Sequence, residues 1–235
     1  MFLFVNPFTI LIAAAVIPAI ILLIYVYKKD KLEREPTDLI WKLVLWGIVS
    51  TLCAVVTESI GSRILNANFD PNSLTYRVLM YFVVVGLSEE GFKYMMLRIK
   101  TWRSPYFNCQ FDGVVYAVAV SLGFALWENI QYVISYGMGT ALLRAVTAVP
   151  GHACFGVFMG TWYGVAKKYD NFGYKGRSAV ASILALVFPT LIHGLYDFIA
   201  TDENGSSWPF FVLIIVMFII AFFTVKKTSE KDQYI

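Results

Sequence analysis

Glu89, Glu90 and Lys93 stand in a stretch, VLMYFVVVGLSEEGFKYMML, that is otherwise almost wholly apolar. A charged residue at the centre of a membrane helix is disfavoured by roughly 2.5–3.5 kcal/mol, whereas each Leu, Ile, Phe or Val returns only about 0.3–0.6. An ionisable group kept there is by default a candidate for function. Glu89 and Lys93 are four residues apart with the acid first, the favourable order on a helix, and Glu90 is three residues from the same lysine. One lysine can serve either acid, and two carboxyls in unequal surroundings are what acid–base chemistry uses. The chain has only two histidines, and both also fall in apolar segments: His152 in VPGHACFGVFMG and His193 in FPTLIHGLYDF. Asp197 follows His193 by four residues, so the two share a helix face and the acid can orient the imidazole. Glu128, in GFALWENIQY with Phe124 one turn below it, is the remaining deeply placed acid.

The elements that must position these groups are membrane helices. Hydrophobic residues make up 58% of the 235 and charged residues 15%, and the mean hydropathy is +0.65, which excludes an ordinary soluble domain. Seven apolar segments are expected at about 7–27, 39–58, 75–97, 111–136, 141–166, 177–200 and 208–225, each long enough to cross about 30 Å of hydrocarbon. The alternating polarity of a membrane barrel is absent, so the expected fold is all-α, one polytopic domain over residues 1–235. The opening MFLFVNPFTI carries no positive residue and reads as the start of a retained span rather than a signal peptide. Fifteen Lys and Arg flank one set of span ends and three flank the other. That asymmetry predicts the N-terminus outside and the C-terminus in the cytoplasm.

Other features have plainer readings. The net charge of +3 is spread over four span-flanking segments, which argues against a nucleic-acid surface. Cys53, Cys109 and Cys154 have no metal-ligand spacing and read as small apolar residues. Asp112 is expected to cap the fourth span, and Glu58 to end the second span near the outer surface. Gly156, Gly160 and Gly164 recur every four residues, a smooth face for helix packing, with His152 one turn earlier on that face. The bland reading of Glu89, Glu90 and Lys93 is an ion cluster that fixes helix register. It leaves Glu128, His152, His193 and Asp197 without a reason to lie at similar depth.

In this order, Glu89-Glu90 with Lys93, Phe124 with Glu128, His152 in its glycine-rich helix and His193 with Asp197 resemble the PrsW family of intramembrane proteases. That family shares a superfamily with CAAX-processing and bacteriocin-immunity proteases, and the likeness covers about residues 75–200. The CAAX branch has Arg four residues after the glutamate pair, His where Glu128 stands and Asn where Asp197 stands, so its mechanism does not transfer unchanged. The resemblance implies a bacterial cell-membrane enzyme that makes the first cut in a single-pass protein such as an anti-sigma factor of a stress response. Peptide hydrolysis needs an activated water, a proton for the leaving amine and donors for the oxyanion. The expected roles are Glu89 or Glu90 as base, His152 and His193 for the water or the oxyanion, and Asp197 to orient His193. Glu128 is expected as a supporting acid and Lys93 as the partner of the glutamates. A glutamate mechanism without a cofactor is favoured, with zinc on two histidines and one carboxylate as the alternative. The competing functions are a non-catalytic scaffold that binds a transmembrane helix, like the scaffold subunit of gamma-secretase in the same superfamily, and an ion or proton transporter. Counted from the outer ends of the predicted spans, Glu89, Glu128, His152 and His193 lie about 12–18 Å deep, with Asp197 nearer the surface. The cut is therefore expected at or just below the extracytoplasmic side of the substrate.

Overall fold

The computed structural model describes residues 7–201 and 207–235. The first six residues, expected to open a retained span, lie outside them. The described chain forms α1 (Pro7–Lys29), α2 (Thr37–Asn68) and a continuous helical run from Leu74 to Thr101. That run is α3 (Leu74–Val78), a π-helical segment (Leu79–Leu87) and α4 (Ser88–Thr101). Then follow α5 (Asp112–Tyr136), α6 (Met138–Val146), α7 (Ala148–Asn171), α8 (Lys175–Ala200) and α9 (Trp208–Glu230). Among the described residues there is no strand, only an isolated bridge between Cys109 and Tyr234. By length and composition, six elements among the described residues can cross a membrane: α1, α2, α5, α6 with α7, α8 and α9. The expected span at 75–97 is not among them, because Arg77, Glu89, Glu90 and Lys93 dilute it and the π segment divides it. The protein is an all-α, multi-pass membrane protein.

Three boundaries differ from the sequence expectation, each for a local reason. Helix α2 continues to Asn68 rather than ending at 58: TESIGSRILNAN has the polarity of a span end but no proline to stop the helix. The third segment is helical throughout but widens to a π turn before Ser88. The fifth breaks at Thr147, since Pro150 has no N–H for the Val146 carbonyl and suits only the first turn of a new helix. Gly137 makes the preceding corner at φ +82°, a conformation that a side chain resists.

Helix α5 is the centre of the bundle. Every residue from Asp112 to Ala125 is buried, and the helix packs against α1, α2, α4, α6 and α7. Small residues allow this closeness. A Cβ on Gly47 of α2 would overlap the Val120 carbonyl, and one on Gly123 would overlap the Val44 carbonyl. Gly156, Gly160 and Gly164 of α7 lie against Ser121, Gly113 and Gln110 in the same way. The outer helices α1, α2, α8 and α9 present exposed apolar side chains such as Ile21, Leu45, Ile183 and Phe223. Asp112, expected as a cap, instead folds back: its Oδ2 accepts from the amides of Asn108 at 3.0 Å and Cys109 at 2.7 Å, closing the turn before α5.

Candidate active site

The π segment is what delivers the glutamate pair. Its wider turn ends at Leu87, where Gly86 comes close enough to α8 that a Cβ would stand 3.1 Å from the Thr190 carbonyl. Such turns recur at functional sites because they re-aim the residues that follow. Glu89, Glu90 and Lys93 then all enter the protein interior, with 6%, 0% and 0% of their surface exposed. The lipid cost anticipated from the sequence does not arise, because none of the three faces lipid.

Lys93 Nζ donates to Glu90 Oε1 at 2.8 Å and to Glu89 Oε2 at 3.2 Å, and meets His152 Nδ1 at 3.2 Å. The Phe124 ring lies 3.9 Å below the same nitrogen. All three ammonium protons are thereby accounted for. With a charged lysine donating, His152 Nδ1 is the acceptor, and Nε2–H donates to Glu128 Oε2 at 2.9 Å. Arg144 of α6 pairs with that same Glu128 oxygen at 2.9 Å. His193 Nδ1–H donates to Glu90 Oε1 at 2.9 Å, leaving Nε2 turned toward Asp197 Oδ2 at 3.4 Å and Glu89 Oε2 at 3.9 Å. The His193 ring stacks on Phe155 at 4.6 Å, and the two imidazoles meet edge to face at 5.4 Å.

These groups surround a cavity of about 370 Å³ lined by Glu58, Glu89, Glu128, Arg144, His152, His193 and Asp197, with Tyr81, Phe124 and Tyr132 among its walls. Every candidate catalytic residue singled out from the sequence therefore lies at or directly behind this cavity, but not in equal positions. Glu89 faces the cavity, whereas Glu90 and Lys93 lie behind it. Asp197 was expected to orient His193, and the shorter contact to that ring comes from Glu90 instead. Sequence reasoning missed two members. Glu58 was placed near the outer surface, yet it stands ten residues inside the end of α2, lines the cavity and has a buried Oε1 without a hydrogen-bond partner. Arg144 was counted as a loop charge, although its setting in TALLRAV was the available hint.

One ligand atom each from Glu89, His152 and His193 lies within 4.8 Å of the other two, a donor set suited to a metal ion. Both imidazoles are backed by a carboxylate on the nitrogen that does not face the cluster, Glu128 for His152 and Glu90 for His193. Metal-binding histidines are commonly held in this way. The charge balance agrees: Glu58, Glu89, Glu90, Glu128 and Asp197 surround the site against only Lys93 and Arg144. The residues fit a divalent metal, provided that Lys93 releases His152 Nδ1.

No solved structure matches the chain. Curated proteins do. A protein named Protease PrsW from Oceanobacillus iheyensis is 33% identical over 94% of this chain and 96% of its own length. Its namesake from Bacillus subtilis is 33% identical over 94% of both chains, and that from Halalkalibacterium halodurans 32% over 95% and 97%. The model of the PrsW family intramembrane metalloproteases matches residues 35–224. A match of that extent over a site of this composition places the chain in one family: it belongs to the PrsW family of intramembrane proteases.

Proposed function

We propose that the protein is an endopeptidase that hydrolyses a peptide bond within the membrane, using the groups that converge on the cavity beside Glu89. The observation that carries this reading is the meeting of Glu89, His152 and His193 on one enclosed space, each histidine fixed from behind by an acid. Glu89 is the carboxylate placed to take a proton from a water in that space. Asp197 and Glu58, also on the cavity wall, are placed to pass a proton to the leaving amine. Glu90 and Glu128 position His193 and His152, and Lys93 holds Glu89 and Glu90 in fixed directions. Arg144 balances Glu128.

A divalent metal held by Glu89, His152 and His193 would polarise the scissile carbonyl and make water a nucleophile at neutral pH. The carboxylate behind each histidine favours this form. The Lys93 contact at His152 Nδ1 favours the metal-free one, in which Glu89 alone activates water and His193, protonated on both nitrogens, donates from Nε2 to the oxyanion. Elemental analysis of purified, active protein separates them. Stoichiometric metal that is lost with activity under chelation, and restores it on return, establishes the first; full activity at substoichiometric metal establishes the second.

The substrate of this reading is a single-pass membrane protein, in the manner of an anti-sigma factor, cut first by this enzyme on its extracytoplasmic side. The cavity is lined from the ends of α2, α5 and α8 and the start of α7, the ends that follow or precede few basic residues. The test uses purified protein reconstituted with a candidate substrate. Wild type should cleave it, and Glu89→Gln should bind it uncut. Binding without cleavage by both would establish the scaffold function instead.

A further inference from the structure

Asp30 and Glu35, in the connection between α1 and α2, meet Asp112, the first residue of α5. One oxygen from each lies within 4.8 Å of the other two, and all three side chains are buried. Glu128 is sixteen residues further along α5, about 24 Å away, so this cluster is at the other end of the bundle from the cavity. Its hydrogen bonds leave a gap. The Tyr116 hydroxyl donates to Glu35 Oε2 at 2.6 Å, and two backbone amides satisfy Asp112 Oδ2. Both oxygens of Asp30 and Oδ1 of Asp112 have no hydrogen-bond partner, although Asp30 is 0% exposed. Asp232 of the C-terminal tail adds a further orphan, Oδ2, while its Oδ1 accepts from the Phe111 amide at 2.8 Å. Burial is the largest influence on the Asp30 carboxyl and pushes it up to about 6; Asp232 and Glu33 push the same way, against the Arg34 guanidinium. No lysine or arginine ion pair reaches the three acids among the described residues. A buried carboxyl is paired, bound to metal or protonated, and the oxygens of Asp30 have neither an ion pair nor a hydrogen bond.

We propose that Asp30, Glu35 and Asp112 bind a hard divalent cation, Mg²⁺ or Ca²⁺, which fastens the α1–α2 connection to the start of α5. The ligand atoms are all carboxylate oxygens, which select hard cations over zinc or copper. Asp30 supplies two free oxygens and Asp112 one, and Asp232 stands by to tie in the tail. The role is structural and independent of the proteolytic reading, since it would hold equally in a scaffold.

The experiment uses full-length protein in detergent, stripped with chelator and dialysed, in a His152→Ala/His193→Ala background that removes the other donor set. Mn²⁺ serves as the probe, its free signal followed by electron paramagnetic resonance. One saturable site is expected, displaced by Mg²⁺ or Ca²⁺, and whichever displaces at the lower concentration identifies the preferred ion. At ten times Kd the displacing ion should raise the unfolding temperature by about 3–6 °C over NaCl of equal ionic strength. Asp30→Asn should weaken Mn²⁺ binding at least tenfold, and Glu35→Gln is the second variant should the first fail to fold. Absence of saturable binding in the background protein overturns the proposal without recourse to either variant. Unchanged binding in a folded Asp30→Asn or Glu35→Gln protein overturns it too, and would leave shared protons as what holds the three acids together.

Discussion

Adjacent residues on a helix point about 100° apart, so Glu89 and Glu90 cannot do the same work. Glu89 looks into the cavity and Glu90 into the packed interior, where Lys93 and His193 share its Oε1. Their substitutions should separate. Glu89→Gln should abolish cleavage while the unfolding temperature stays close to wild type. Glu90→Ala leaves a buried lysine under-compensated and should lower stability by roughly 3–5 kcal/mol, read as a loss of thermal stability before any loss of turnover is measured. Full activity in Glu89→Gln would remove this residue from the chemistry. His152→Ala and His193→Ala should each reduce turnover at least about 10²-fold. Glu128→Gln, which keeps an acceptor for His152 but loses the pairing with Arg144, should cost about 10–100-fold. The histidines, the glutamate pair, Glu128 and Lys93 were legible in the sequence because charge in an apolar run is expensive and so conspicuous. Glu58 was not, because the polar residues after it imitate a span that has ended. The second cluster was not either: Asp30 and Glu35 lie in a loop rich in charge, and Asp112 reads as an ordinary helix cap.

Helix positions were largely readable from apolar length, and the places where helices change character were not. VLMYFVVVGL is apolar on every side and has no period from which a π turn could be read. Yet that turn sets the direction of the glutamate pair. Deleting Val84, within the π segment, should return the run toward α geometry and shift Glu89 from its place on the cavity wall. The expected outcome is an inserted, folded and inactive protein, checked by thermal unfolding alongside cleavage; retained activity would show that the π turn is incidental. The contact of α2 with α5 makes a complementary prediction. Gly47→Leu places a side chain where the Val120 carbonyl stands, and overpacking of this kind costs at least about 2 kcal/mol. Gly139→Leu, where a Cβ meets nothing within 4 Å, should leave the unfolding temperature unchanged.

At the scale of the molecule, the break at Thr147 revises the geometry of access. His152 stands only four residues into α7, about 6 Å from its start, and Glu128 eight residues, about 12 Å, from the end of α5. The site is thus shallower on the α7 side than a single unbroken span would make it. On the orientation with few basic residues outside, water enters from the extracytoplasmic face. New termini produced from a single-pass substrate should map to, or just below, that side of its span. Termini on the cytoplasmic side would show that either the orientation or the site has been misplaced.

Time gives the placement of Lys93 a further meaning. His193 is 103 residues beyond Glu90, which at about 5–20 residues per second is roughly 5–20 s of synthesis. Through that interval the glutamate pair is already in a helix bound for the membrane, while α8 is incomplete. Of the groups that finally hold the pair, Lys93 alone travels on the same helix, three and four residues away. It can therefore neutralise the segment before any long-range partner exists. Lys93→Leu should reduce the amount of protein reaching the membrane, whereas His193→Ala, which removes a partner that arrives late, should reduce activity and leave that amount unchanged.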